Sequence, residues 1–329
     1  MKVAVLGAGS WGTALAISFA ARHEVTLWTR DREQLSRLQR DRENTRYLKG
    51  YPFPDCLSVA GDLCVASQDA DVVLVVTPTA GLRPTLRALT AAGSRAPVLW
   101  ACKGLEADTE LPAHEVAAAE LPDSIARGVL TGPSFAQEVA AGMPAAITLA
   151  SADESFANSM AAALNSSRLR IYSSTDVVGA EIGGAVKNIM AIAAGVCDGL
   201  KLGHNARAAL LTRGLAEITR FGVALGGRQE TFTGLSGMGD LILTCTGDLS
   251  RNRKVGLLLA AGKPLGEIIE NLGHVAEGVN TARAVQQQAL RLGVDMPITQ
   301  VVCQMLFEGL GAADAIAALM GRVAKKEAA

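Results

Sequence analysis

The chain has 329 residues, a net charge of −1, and 49% hydrophobic against 19% charged residues. This length suggests two domains, and the apolar share is ample for a sizeable core. The near-neutral charge excludes nucleic acid and anionic membrane surfaces as evident partners, and no apolar run approaches the length of a membrane span.

In chain order, residues 3–6 read as a strand and 13–22 as a helix. Between them lies Gly7-Ala8-Gly9-Ser10-Trp11-Gly12. The lysine, apolar run and small residues of this stretch imitate a secretion signal. The three glycines argue against it, because they break the run where a signal needs its helix. Their G-x-G-x-x-G spacing after a strand predicts a dinucleotide-binding turn. Gly7 permits the tight turn, Gly9 leaves bare backbone for a pyrophosphate, and Gly12 lets the helix approach the sheet. The helix N-terminus then faces the phosphates. Ser10 and Trp11 lie beside them, with packing as the other reading of Trp11.

Residues 25–29 form the second predicted strand and 31–40 the second helix. The strand ends at Thr29-Arg30, where an NAD-selective site places an acid. Arg30 suits a 2′-phosphate instead, and Asp31 reads as the start of the helix. This favours NADP(H), with NAD(H) as the alternative and a solvated surface charge as the plain reading of Arg30. Residues 51–54, with two prolines, read as an irregular loop.

Further strands are expected at 72–76, 98–102, 128–130, 146–150 and 169–172. Strands alternating with helical segments imply a mostly parallel Rossmann-type α/β sheet. Lys103 follows one strand, where ligands gather in open parallel sheets. Gly132-Pro133-Ser134 follows another. After Asp176 almost no strand candidates remain, and 177–200, 206–225, 280–292 and 299–307 read as helices. The expected division is a dinucleotide-binding domain, 1–175, and an all-α substrate-binding and catalytic domain, 176–329.

Lys187 interrupts an otherwise apolar helix. Lysine is seldom buried without a partner, and a desolvated ammonium suits proton transfer. The plain alternative is a lysine that snorkels to solvent. Asp240 lies in a glycine-rich bend, placed to hold a lysine or cap a helix. Ser250-Arg251-Asn252-Arg253 gathers donors at a helix start, suited to phosphate. Cys56, Cys64, Cys102, Cys197, Cys245 and Cys303 form no C-x-x-C pair, and the four histidines are isolated. No metal site is expected, and the cysteines read as free thiols of a reducing cytosol.

Together the chain resembles bacterial NAD(P)-dependent glycerol-3-phosphate dehydrogenases. The resemblance rests on the glycine turn, Lys103-Gly104-Leu105-Glu106, Gly132-Pro133-Ser134-Phe135-Ala136, Gly183-Gly184-Ala185-Val186-Lys187-Asn188, Gly239-Asp240-Leu241, Ser250-Arg251-Asn252-Arg253 and Val275-Ala276-Glu277-Gly278. It implies a cytoplasmic homodimer that interconverts dihydroxyacetone phosphate and sn-glycerol 3-phosphate for phospholipid synthesis. By resemblance, Lys187 is the proton donor or acceptor, with Lys103 and Asp240 beside it in the catalytic group. Lys103, Gly132, Ser134, Asp240, Ser250, Arg251 and Asn252 match substrate contacts. Ser10, Trp11, Arg30, Lys103, Ala136, Arg251, Val275 and Glu277 match cofactor contacts. The competing readings are another two-domain hydroxy-acid or sugar-acid dehydrogenase and a non-enzymatic dinucleotide sensor. Neither accounts for the lysine and phosphate motifs together.

Overall fold

The computed structural model describes residues 1–272 and 276–322. Ten strands occur among them: β1 Lys2–Leu6, β2 Glu24–Trp28, β3 Glu43–Asn44, β4 Leu48–Pro52, β5 Leu57–Ala60, β6 Val72–Val75, β7 Val98–Trp100, β8 Arg127–Thr131, β9 Ala145–Ala150 and β10 Leu169–Ser174. Eight build one sheet in the order β10-β9-β8-β7-β6-β1-β2-β5, and β3 pairs with β4 apart from it. Every pairing in the large sheet is parallel except β8 with β9. The mostly parallel sheet expected from the sequence is therefore present, with β9 and β10 running against the rest.

The central strands read as continuous apolar runs because both faces are covered. All four residues of β6 and all three of β7 are buried. Helices Ser10–Ala20 and Glu154–Leu164 pack Leu15, Phe19, Ala157 and Met160 into the core on one face. Helices Thr79–Ala91 and Ala113–Glu120 bring Leu82, Leu86, Leu89 and Val116 to the other.

Two expectations change here. Residues 51–54 are not wholly irregular, since β4 includes Tyr51 and Pro52. The hairpin is only two and five residues long and lies outside the main sheet, so no buried alternation announces it. The helix Val177–Gly199 is long and apolar enough, by length and hydropathy, to cross a membrane. It serves instead as the core of the second half, with 18 of its 23 residues buried.

Asp176 caps this long helix. Its Oδ1 accepts from Gly179 N at 2.9 Å, and its Oδ2 accepts from Arg228 N at 2.9 Å and the Thr231 hydroxyl at 2.5 Å. Around the helix pack Gly203–Ala224, Asp240–Thr246, Arg251–Ala260, Glu277–Leu292 and Pro297–Phe307. No strand follows β10 among the described residues. Buried Glu217 accepts from the Ile298 and Thr299 amides at 2.7 and 3.3 Å, joining the helix Gly203–Ala224 to the start of Pro297–Phe307.

Candidate active site

The glycine turn follows β1. Gly7 has φ +127°, and a Cβ there would meet the Val76 carbonyl oxygen at 2.5 Å, so glycine is required on both counts. A Cβ on Gly12 would overlap the Gly7 carbonyl, while one on Gly9 meets nothing within 4 Å. The helix Ser10–Ala20 starts here without a side-chain cap, so its first amide groups are available to an anion. Open space at Gly9 and uncapped amides fit a dinucleotide pyrophosphate.

The turn is braced from outside. Ala8 O accepts from Gln34 Nε2 at 2.7 Å and from Asn44 Nδ2 at 3.0 Å. The Ser10 hydroxyl donates to Tyr47 O at 2.7 Å, so it binds the hairpin rather than standing free. Trp11 packs partly buried against the cores on both sides of its helix. Arg30 is exposed just beyond β2. Asp31 caps the helix Arg32–Asp41, accepting from Glu33 N at 2.9 Å and Gln34 N at 3.0 Å. Asp31 Oδ1 is thus engaged as a helix cap, with Oδ2 4.0 Å from Arg46 Nη1.

The chemistry-bearing side chains converge beyond the ends of β7 and β8. Asp240, 1% exposed, accepts from Lys103 Nζ on Oδ2 at 2.8 Å and from Lys187 Nζ on Oδ1. Lys103 also donates to Gly132 O at 3.0 Å, and Lys187 to the Thr244 hydroxyl at 2.8 Å. Among the described residues, each ammonium spends two of its three donors on the protein. Burial lowers the Lys187 pKa to about 8, Asp240 opposing the shift and Lys103 adding to it.

The glycines of the long helix make this convergence possible. A Cβ on Gly184 would lie 2.7 Å from the Thr131 hydroxyl and 3.7 Å from Lys103 Cγ. Gly183 instead admits the bend at Leu235–Gly239, since its Cβ would fall 2.4 Å from Ser236 O. Gly132 has φ +131°, and Ser134 donates back to its carbonyl at 3.0 Å.

A polar chain continues from the lysines. Asn188 Nδ2 donates to Lys103 O at 3.2 Å, Asn252 Nδ2 to Asn188 Oδ1 at 2.9 Å, and Gly278 N to Asn252 Oδ1 at 3.0 Å. Asn252 therefore scaffolds the site. Ser250 caps Arg251–Ala260 by accepting from Arg253 N at 3.2 Å, and Arg251 stands exposed at that helix's first position. Glu277 accepts from Thr79 N at 3.3 Å. Burial raises its carboxyl pKa, against the pull of that amide and of Arg251. Ala136 begins the helix Ala136–Ala140, packed near Ala14 and Val139. Val275 lies outside the described residues.

Sequence reasoning misses Thr244, whose only signal is its place one turn after Asp240. It also leaves Asn188 without a role of its own, although Asn188 adjoins Lys187 in the quoted motif.

A glycine turn that fits a dinucleotide, together with two lysines joined by one buried carboxylate, defines a two-domain NAD(P)-dependent oxidoreductase. The family models for the N-terminus and C-terminus of NAD-dependent glycerol-3-phosphate dehydrogenase match residues 2–157 and 176–317. The chain belongs to the glycerol-3-phosphate dehydrogenase family. It is 56% identical over 331 residues to the "Glycerol-3-phosphate dehydrogenase [NAD(P)+]" of Nitrosospira multiformis, covering 99% of each chain. Identity to the Thiobacillus denitrificans enzyme of the same name is 56% over 327 residues, covering 99% of this chain and 100% of that one. The crystal structure of glycerol-3-phosphate dehydrogenase from Coxiella burnetii matches with TM-score 0.94 at 40% identity, covering 98% and 99% of the two chains.

Proposed function

We propose that this enzyme reduces dihydroxyacetone phosphate to sn-glycerol 3-phosphate, with Lys187 as the proton donor. The observation that supports this most is the Asp240 carboxylate shared by Lys103 and Lys187. Bound NAD(P)H supplies the hydride. The third donor of Lys187 is then available to the ketone oxygen, stabilising developing negative charge and delivering the proton. In the reverse direction neutral Lys187 takes the hydroxyl proton. Asp240 holds both ammoniums in place, and Lys103 adds positive charge beside the reacting oxygen.

Arg251, the Ser250 hydroxyl and the start of the helix Arg251–Ala260 suit the substrate phosphate, fixing orientation without joining the chemistry. Gly132, Ser134 and Asn252 complete the substrate side. Gly7, Gly9, Ser10, Trp11, Gly12, Ala136 and Glu277 form the cofactor side, with residues 1–175 and 176–329 as the two functional domains. Exposed Arg30 beside a helix-capping Asp31 favours NADP(H) over NAD(H). Likeness to the family supports a cytoplasmic homodimer that feeds phospholipid synthesis.

The test follows NADPH and NADH oxidation by purified enzyme with dihydroxyacetone phosphate and with dihydroxyacetone. Turnover should require the phosphate and favour NADPH. Equal kcat/KM for both ketones would remove the phosphate site.

A further inference from the structure

The segment from β7 to Lys103 meets the helix Val177–Gly199 at two levels, through Trp100 and through the Lys103 carbonyl, which accepts from Asn188 Nδ2 at 3.2 Å. β7 ends at Trp100, three residues before Lys103. Beyond it Ala101 N still donates to Val75 O at 2.9 Å, so the chain continues along the sheet. Glu181 lies six residues before Lys187 on the long helix and is buried. Trp100 Nε1 donates to Glu181 Oε1 at 2.5 Å. Three residues advance at most about 10 Å, and the seven helical residues from Glu181 to Asn188, about two turns on one face, also about 10 Å. The spacings match, so the two contacts stand as rungs between this segment and one helix.

The second Glu181 oxygen reaches a further element. Oε2 accepts from His114 N at 3.2 Å and lies 2.6 Å from His114 Nδ1, at the start of the helix Ala113–Glu120. Cys102 and Glu115 are the other titratable groups nearby; burial and the Glu181 charge raise the Cys102 thiol, and Glu115 acts on His114. A buried carboxylate is costly unless its oxygens are satisfied. This one is satisfied by two elements of the cofactor-binding half at once, and it takes no direct part in the lysine cluster.

We propose that Glu181 is a positioning residue, fixing the axial register of the Lys187 helix on the segment that leads from β7 to Lys103 so that both ammoniums reach Asp240. The proposal rests on the reading of Lys187 as proton donor. Glu181→Gln cannot serve the same donors, because its amide nitrogen must face either the indole N–H or the His114 N–H. Trp100→Phe removes the indole donor and retains an apolar ring. Both variants should bind NADPH as the wild type does and reduce dihydroxyacetone phosphate about ten- to a hundredfold more slowly. The alkaline limb of kcat should also move to lower pH, because Lys187 loses the Asp240 carboxylate, which favours its ammonium form more than Lys103 opposes it. General destabilisation would lower the active fraction and leave the limb in place.

The measurements are stopped-flow hydride transfer across pH, NADPH titration, and circular dichroism to verify folding. If Glu181→Gln does not fold, Trp100→Phe carries the test alone. Wild-type kcat and an unmoved limb in the folded variants overturn the proposal. Lys187→Met in the same assay separates the two failures. If it is inactive while both other variants are normal, only the positioning role falls. If it is fully active, the proton-donor reading falls and takes the positioning role with it.

Discussion

The Lys187 ammonium donates to the Thr244 hydroxyl at 2.8 Å. Thr244 lies four residues after Asp240 on one short helix, so two acceptors one turn apart face the same ammonium. A lysine has four rotatable side-chain bonds, and this pair fixes the end of that chain. The remaining donor direction is thereby set before any substrate arrives.

Replacing this lysine should separate chemistry from binding. Lys187→Met keeps an unbranched apolar body in a buried helix, so packing should survive. We expect kcat for dihydroxyacetone phosphate reduction to fall at least about a hundredfold, with NADPH affinity little changed. In the wild type the reducing direction needs the ammonium form. Its rate should hold below pH about 8 and fall above it, while glycerol 3-phosphate oxidation climbs through the same range. Single-turnover hydride transfer across pH measures both; a wild-type rate in the folded variant would remove Lys187 from the reaction.

The glycine turn offers a cleaner separation. A Cβ at Gly9 meets no protein atom within 4 Å, so Gly9→Val should fold normally. The added branches stand where the pyrophosphate needs bare backbone, and NADPH affinity should collapse. Calorimetry gives the answer directly, and unchanged binding would move the cofactor elsewhere.

Cofactor choice turns on Arg30. Arg30→Asp exchanges an attractive charge for a repulsive one at the end of β2, so Kd for NADPH should rise far more than Kd for NADH. If the ratio of the two affinities stays at the wild-type value, Arg30 does not meet the 2′-phosphate.

A fourth expectation concerns stability. Burial raises the Glu217 pKa from 4.5 to about 7, against the opposing pull of the Ile298 and Thr299 amides. A folded pKa above the unfolded one means that the folded state holds the proton longer. The contribution is full below pH 4.5, declines as pH rises, and is gone above pH about 7. Its size is at most about 3 kcal/mol. Glu217→Gln should abolish this term. Urea denaturation at pH 5 and pH 8 should therefore show the wild type losing more stability than the variant over that interval.

The sequence exposes those parts of the site whose residues contradict their surroundings. Gly7, Gly9 and Gly12 interrupt an apolar run, and Lys187 interrupts an apolar helix. Each breaks a local pattern, and each has a physical reason in the structure. Asp31 shows the same legibility for a cap, because a side chain three residues ahead of an amide needs no distant partner. Glu181 and Thr244 carry no such sign. Their partners lie 81 and 57 residues away, and only the folded chain brings them together. Seven of the eight strands of the main sheet were legible as apolar runs, and the edge strand β5, with only Leu57 buried, was not. β3 and β4 were not, since Gly50 and Pro52 give that segment the composition of a loop.

The same hairpin has a consequence for how quickly the enzyme can take up its cofactor. Asn44 holds Ala8 O and the Thr13 hydroxyl, Tyr47 O holds Ser10, and Gln34 holds Ala8 O from the other side. Ordering one loose residue costs about 1–2 kcal/mol of backbone entropy, and here that ordering is completed during folding. The phosphate cradle is held in place by the fold itself. Capture there should follow encounter frequency, with no slow rearrangement in the binding transient.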